Sequence, residues 1–289
     1  MPQRFPLAAI TDEFSPDDLE RAAASMQEIG MTAAELRVVF GKNIVDLSDQ
    51  ELERAAKILA QHGLSVVSIA TPLLKCTLPD APPIDTKIQH DVFGVQHTIE
   101  DQPRIARRAF AVAKMLGAKI IRVFSYWRTV DPDACFDRVV IALRDLTEQA
   151  AQHGLTIAIE NEHACNIATA AESARLLKAI DHPNFKVIWD PANAYVSGEH
   201  AYPDGYKLLP VDRIVHVHAK DCTMAADHQP VWGAIGEGDV NWKAQLQSLE
   251  ADGYKGYISL ETHWKGPHGD KHEASMICGR NLKALITAA

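Results

Sequence analysis

The sequence predicts an α/β chain folded as one (β/α)8 TIM barrel, a single domain over residues 1–289. Three observations carry that reading. Apolar strand-like runs alternate with amphipathic stretches from end to end, one helix-to-strand junction occurs twice, and the last four runs each stop on a metal-binding side chain. Eight β-then-α units in a chain of 289 residues suit a closed barrel better than a doubly wound sheet. No GxGxxG follows the first run, which weakens a dinucleotide fold further.

The strands are expected at 7–11, 33–38, 65–70, 119–124, 156–160, 186–190, 213–218 and 257–261. Helices are expected at roughly 16–29, 49–62, 101–116, 133–153, 169–180, 205–209, 241–252 and 271–287. Ser15 followed by Pro16 reads as an N-cap and first-turn pair, with Gly30 closing that helix. Ser48 with Glu51 three residues later makes a capping box, and Gly63 ends the segment. The junction Ala60-Gln61-His62-Gly63-Leu64 recurs as Ala151-Gln152-His153-Gly154-Leu155, as a repeated βα unit would require. Two connections are long. Residues 71–100 carry Pro72, Pro79, Pro82 and Pro83, and residues 219–240 carry Gly233, Gly236 and Gly238. Both follow strands, which places them on the carboxyl-end face where long loops serve a site.

Bulk properties exclude several classes. A formal net charge of −9 repels a nucleic-acid polyanion, so no nucleic-acid partner is expected. No apolar stretch approaches the roughly 20 residues that span a bilayer, and the amino-terminal residues lack a signal-peptide pattern. Five scattered cysteines without CxxC spacing read as free thiols of a reducing compartment, so a cytoplasmic protein is expected.

The chemistry lies in the strand ends. Ile157-Ala158-Ile159 stops on Glu160, Val187-Ile188-Trp189 on Asp190, Ile214-Val215-His216-Val217 on His218, and Ile258-Ser259-Leu260 on Glu261. One such ending is ordinary where a strand meets water. Four on consecutive strands point to one convergent divalent-metal site, and hence to an enzyme. Strand alternation tests the idea: if these four face the barrel interior, Ile159, Trp189, Val217 and Leu260 face the helices, and all four are apolar. Three carboxylates and one imidazole suit Mn²⁺ first, with Mg²⁺, Co²⁺, Fe²⁺ and Zn²⁺ as alternatives. Lys220 shares the inward parity of His218, so its ammonium is a candidate for a substrate oxyanion. His216 is expected one layer lower, packed or supporting rather than ligating. His163, just past Glu160, is a candidate substrate contact, and Tyr126, Trp127 and Trp264 are candidate apolar walls.

Together with Asp190-x-x-Asn193, His216-Val217-His218-x-Lys220-Asp221 and Gly236-Glu237-Gly238-Asp239, these motifs resemble the xylose isomerase-like barrels of sugar isomerases and epimerases. That family includes tagatose/psicose 3-epimerases, hydroxypyruvate isomerases and inosose isomerases or dehydratases. The resemblance covers nearly the whole chain. It implies that Glu160, Asp190, His218 and Glu261 hold one metal and that Glu160 and Glu261 double as acid and base. The expected activity is isomerisation or epimerisation of a small sugar or keto-polyol through a metal-stabilised enediolate, a step in carbohydrate metabolism. Dehydration of a keto-inositol-like substrate is the rival on the same scaffold, and a non-catalytic sugar-binding protein is the rival from another class. A homo-oligomer is compatible with the sequence. One departure matters: the family usually shows histidine where this chain has Asn193, which predicts a neutral substrate oxygen held there by an amide.

Overall fold

A computed structural model describes residues 5–88 and 97–288. Eight parallel strands close into a barrel: β1 (Leu7–Ile10), β2 (Ala33–Leu36), β3 (Ser65–Ala70), β4 (Ile120–Val123), β5 (Thr156–Glu160), β6 (Phe185–Trp189), β7 (Ile214–Ala219) and β8 (Tyr257–Leu260). Each strand pairs with its sequence neighbours, and β8 pairs with β1 to complete the circle. All eight expected strands are present, with ends shifted by no more than two residues.

The helices are α1 (Leu19–Ile29), α2 (Asp49–Gln61), α3 (Gln102–Leu116), α4 (Phe136–Ala151), α5 (Ala170–Ala179), α6 (Pro191–Val196), α7 (Trp242–Ala251) and α8 (Lys271–Ala288). The first starts later than expected, because the Asp18 carboxylate accepts from Arg21 N at 3.0 Å and takes the cap position from Ser15. The Ser48–Glu51 capping box forms, and Thr169–Glu172 makes a second one on α5. The repeated pentapeptide builds the same turn twice. Gly63 and Gly154 sit at φ +68° and +67°, a left-handed conformation that costs glycine little.

The sixth unit departs from the expected pattern. Its α-helix directly follows the strand, because Asp190 caps it and Pro191 supplies the first helical residue. The segment expected as a helix at 205–209 is a 3₁₀ turn, Tyr206–Leu208. Two short antiparallel pairs were not visible in the sequence. One joins Val38–Val39 to Lys42–Asn43, and the other joins Asp221–Met224 to Pro230–Gly233 inside the long connection after β7. Of the other long connection, residues 89–96 lie outside the described residues.

Side-chain parity follows the strand argument. Ile159, Trp189, Val217 and Leu260 belong to the main core beneath the helices. Ala158, Ile188 and Ile120 form a separate apolar cluster on the other face of the sheet, leaving the carboxyl end of the barrel to polar groups. Among the described residues, no helix is long and apolar enough to cross a membrane. All five cysteines are free and buried.

Candidate metal and active site

Glu160 ends β5, Asp190 directly follows β6, His218 lies near the end of β7, and Glu261 directly follows β8. The four are buried. Each offers one ligand atom, and these atoms all lie within 4.8 Å of one another. Parallel strands in sequential order explain the convergence, since their ends meet around one rim. Asn161 ties two of those ends together: its Oδ1 accepts from Asp190 N and its Nδ2 donates to Asp190 O, each at 2.8 Å. Asp190 divides its carboxylate between two tasks. Oδ1 accepts from Asn193 N at 2.9 Å to cap α6, which leaves Oδ2 facing the cluster.

His218 is held from both sides. Its Nδ1 lies 3.2 Å from Glu160 Oε1 and 3.1 Å from Glu261 Oε2, while Nε2 lies 3.0 Å from Glu35 Oε2. Every partner is an acceptor, so without a cation both ring nitrogens carry protons. Burial disfavours that charge, but Glu35, Glu160 and Glu261 together hold the imidazole well above the usual histidine range. A divalent cation fits here because it replaces the proton on Nδ1 and meets the same carboxylates. Glu160 Oε2 and Asp190 Oδ2 are also buried without a well-formed hydrogen bond. Cations do lie near them, with Arg122 Nη1 3.2 Å from the first and Lys220 Nζ 2.9 Å from the second. We regard these as ion pairs whose geometry leaves oxygen lone pairs for a further ligand.

Glu35 is one of the residues that sequence reasoning missed, with Arg37, Arg122 and Trp232. Fully buried on β2, it accepts at Oε2 from His216 Nε2 at 3.0 Å and from Ser259 Oγ at 3.1 Å, besides His218. Its carboxyl remains ionised: burial would raise its pKa, yet His218 and His216 bring it well below the carboxylate range. A lone acid within Ala33-Ala34-Glu35-Leu36 was the available signal. His216, with Glu35 and His218, offers a second set of ligand atoms within 4.8 Å of one another.

Three buried cations, Arg122, Lys220 and Arg37, balance the acids. Lys220 reaches Asp190 at 2.9 Å and Glu261 at 3.2 Å, rather than its neighbour Asp221. Arg37 Nη1 lies 2.8 Å from Glu261 Oε1, and its Nη2 holds Asp12 and Glu13 at 2.8 and 2.7 Å. Burial pushes Asp190 up to about 6, with Lys220 opposing the rise. Glu261 goes the other way: burial is outweighed by Lys220, His218 and Arg37, which keep it well below its ordinary value. Asp221 instead organises the glycine-rich loop, accepting from Gly236 N at 2.8 Å and Val240 N at 3.1 Å. Gly238 passes so close that a Cβ there would lie 2.2 Å from Asp221 Oδ1, which explains the missing side chain.

One wall is built from the β5 and β6 loops. His163 Nδ1 lies 3.0 Å from Glu162 Oε1 and 2.9 Å from Asn193 Oδ1, and Asn193 Nδ2 donates to Glu160 Oε1 at 3.4 Å. Both ends of the Asn193 amide are therefore engaged within the protein. Trp232, on the unforeseen hairpin, stands near this wall, its ring centroid 6.4 Å from His163 and 4.6 Å from His263. Of the expected aromatic walls, Tyr126 is buried in the core, Trp264 packs against the core, and Trp127 lies 5.6 Å beneath Lys75 Nζ.

The family model for the xylose isomerase-like TIM barrel matches residues 23–282. The chain belongs to that family. An inosose dehydratase of Lactiplantibacillus plantarum is 27% identical over 167 residues, 52% of this chain and 54% of the relative. A 3-dehydroshikimate dehydratase of Pseudomonas putida is 28% identical over 165 residues, 54% of this chain and 25% of the relative. The chain thus matches about half the length of the first of these relatives and a quarter of the second. Among solved structures, the IOLI protein with a bound zinc atom superposes with a TM-score of 0.75 at 13% identity. That comparison covers 98% of this chain and 99% of the other, and it speaks to the barrel fold.

Proposed function

We propose that this family member is a divalent-metal-dependent dehydratase of a small polyhydroxylated ketone. The observation that carries the metal-dependent part is the convergence of Glu160, Asp190, His218 and Glu261 ligand atoms within 4.8 Å at the barrel's carboxyl end. Dehydration, the rival in the sequence reading, moves ahead of isomerisation because the two relatives named above are both dehydratases. The donor set of three carboxylates and an imidazole suits Mn²⁺, Mg²⁺ or Zn²⁺.

A cation held by Glu160, Asp190, His218 and Glu261 would supply Lewis acidity, which would make the proton beside a substrate carbonyl easier to remove. Glu261 is the base in this reading. Arg37 and Lys220 hold its carboxylate beside the cluster and keep it deprotonated before the substrate arrives. Glu160, between Arg122 and His218, takes the complementary face. Lys220 offers a fixed positive charge to an oxygen that gains negative charge in the transition state. The buried free thiols fit a reducing cytoplasm.

The test is product analysis of the metal-loaded protein with an inosose, 3-dehydroshikimate and a keto-sugar panel. Loss of one water from a substrate supports the dehydratase. Products of unchanged mass would instead favour the isomerase or epimerase reading, for which the pair Glu160 and Glu261 speaks. Binding without turnover would leave a sugar-binding protein.

A further inference from the structure

We propose that His163 is the general acid of this site, donating a proton from Nε2 to the hydroxyl that leaves the substrate, with Glu162 and Asn193 as its positioning residues. The proposal rests on the dehydratase reading above and adds the proton donor that an elimination needs beside its base.

Glu160 sets the tautomer of His163 through Asn193. An ionised carboxylate only accepts, so the Asn193 group 3.4 Å from Glu160 Oε1 must be the amide nitrogen. That orientation turns Asn193 Oδ1 toward His163 Nδ1, 2.9 Å away. Glu162 Oε1, the other neighbour of Nδ1 at 3.0 Å, is an acceptor too. Two acceptors fix a hydrogen on Nδ1, and Nε2 becomes the atom that gains and loses a proton. The same orienting logic, carboxylate to Nδ1–H with Nε2 left to react, serves histidines in proton transfer generally.

Position agrees with that role. His163 keeps 17% of its side chain open to solvent, whereas Glu160, Asp190, His218 and Lys220 are sealed. It sits one amide away from Glu160, on the wall shared with Trp232. Glu162 raises the imidazole's proton affinity against the effect of burial, so the acid form is available.

The step balances as a β-elimination. The C–H bond beside the carbonyl breaks and its proton passes to Glu261. Those electrons form the carbon–carbon double bond, the C–O bond to the β-hydroxyl breaks, and the Nε2 proton joins that oxygen to leave as water. The imidazolium becomes neutral and regains a proton from solvent, and Glu261 releases the proton it took to solvent, which restores both groups.

The experiment uses the metal-loaded full chain with an inosose in deuterium oxide, recording both dehydration and deuterium incorporation into recovered substrate. His163→Gln should lower dehydration about a hundredfold or more while deuterium still enters beside the carbonyl, because the Glu261 step is untouched. His163→Ala should regain dehydration on adding free imidazole, a result that a folding defect would not give. Parallel loss of exchange and dehydration, undiminished dehydration in both variants, or no response to imidazole would each overturn the assignment. A wild-type protein that neither exchanges nor dehydrates would remove the dehydratase reading and this proposal with it.

Discussion

Glu35 Oε2 lies 3.0 Å from His218 Nε2, directly behind the ring nitrogen that faces Glu160 and Glu261. A carboxylate on the far nitrogen fixes the imidazole's orientation and makes the near nitrogen a better ligand. Glu35→Gln keeps the shape but replaces the acceptor charge. Metal affinity should fall roughly 10–100-fold, read by titration with Mn²⁺ or Zn²⁺. One metal per chain is expected in the native protein. Two would mean that Glu35, His216 and His218 form a second metal site rather than a support.

Asp190→Asn should separate metal binding from folding. Asparagine caps helices about as well as aspartate, so α6 should persist. The oxygen facing the cluster, however, loses its charge. Reduced metal affinity with activity partly recovered by excess Mn²⁺ is the expected pair of results. A collapse of the thermal transition would show that the Asp190–Lys220 pair matters more for the fold than for the metal.

Glu261→Gln removes the proposed base while keeping its volume. Solvent exchange beside the substrate carbonyl should cease even with metal bound, since an amide cannot accept the proton. This is the opposite pattern to His163→Gln, which should spare exchange. Native-like exchange in Glu261→Gln would assign the base to another residue.

Lys220→Met takes away the buried ammonium shared by Asp190 and Glu261. Stranding one side of a buried ion pair costs roughly 3–5 kcal/mol, so the metal-free variant should melt well below the native protein. A divalent cation replaces the missing charge, and it should raise the variant's melting temperature more than the native protein's. Calorimetry with and without metal checks both parts; equal shifts would indicate that Lys220 does not balance the cluster.

Far from the site, Ser48→Ala should cost about 1 kcal/mol by removing the α2 cap, measured by urea unfolding. The pH dependence has a definite sign. Glu51 is held down to about 2 by Lys42 and then by Ser48. A depressed carboxyl stabilises the fold above its ordinary value of 4.5, and that contribution is lost as pH falls toward 2. Stability of Glu51→Gln should therefore converge with that of the native protein in acid. Divergence on acidification would contradict the pairing.

By itself the sequence determined the barrel and which side chains gather at its carboxyl-end rim. Strand period, alternation and the repeated Ala-Gln-His-Gly-Leu junction are local properties, and they specify eight units in order. Because parallel strands run in sequence order, side chains ending β5 to β8 must meet, which is why Glu160, Asp190, His218 and Glu261 were legible before any coordinates. Tertiary structure decided what lies between them. Glu35 reaches His218 from β2 across the closed barrel, 183 residues away in sequence, and nothing in its own strand announces that contact. Lys220 chose Asp190 and Glu261 over the adjacent Asp221, because that carboxylate is consumed by the backbone of the loop around Gly236. The two amide ends of Asn193 join Glu160 to His163, an arrangement set by how the β5 and β6 loops pack. Periodicity records which way a side chain points; which partner it meets depends on barrel closure and loop packing, and these are non-local.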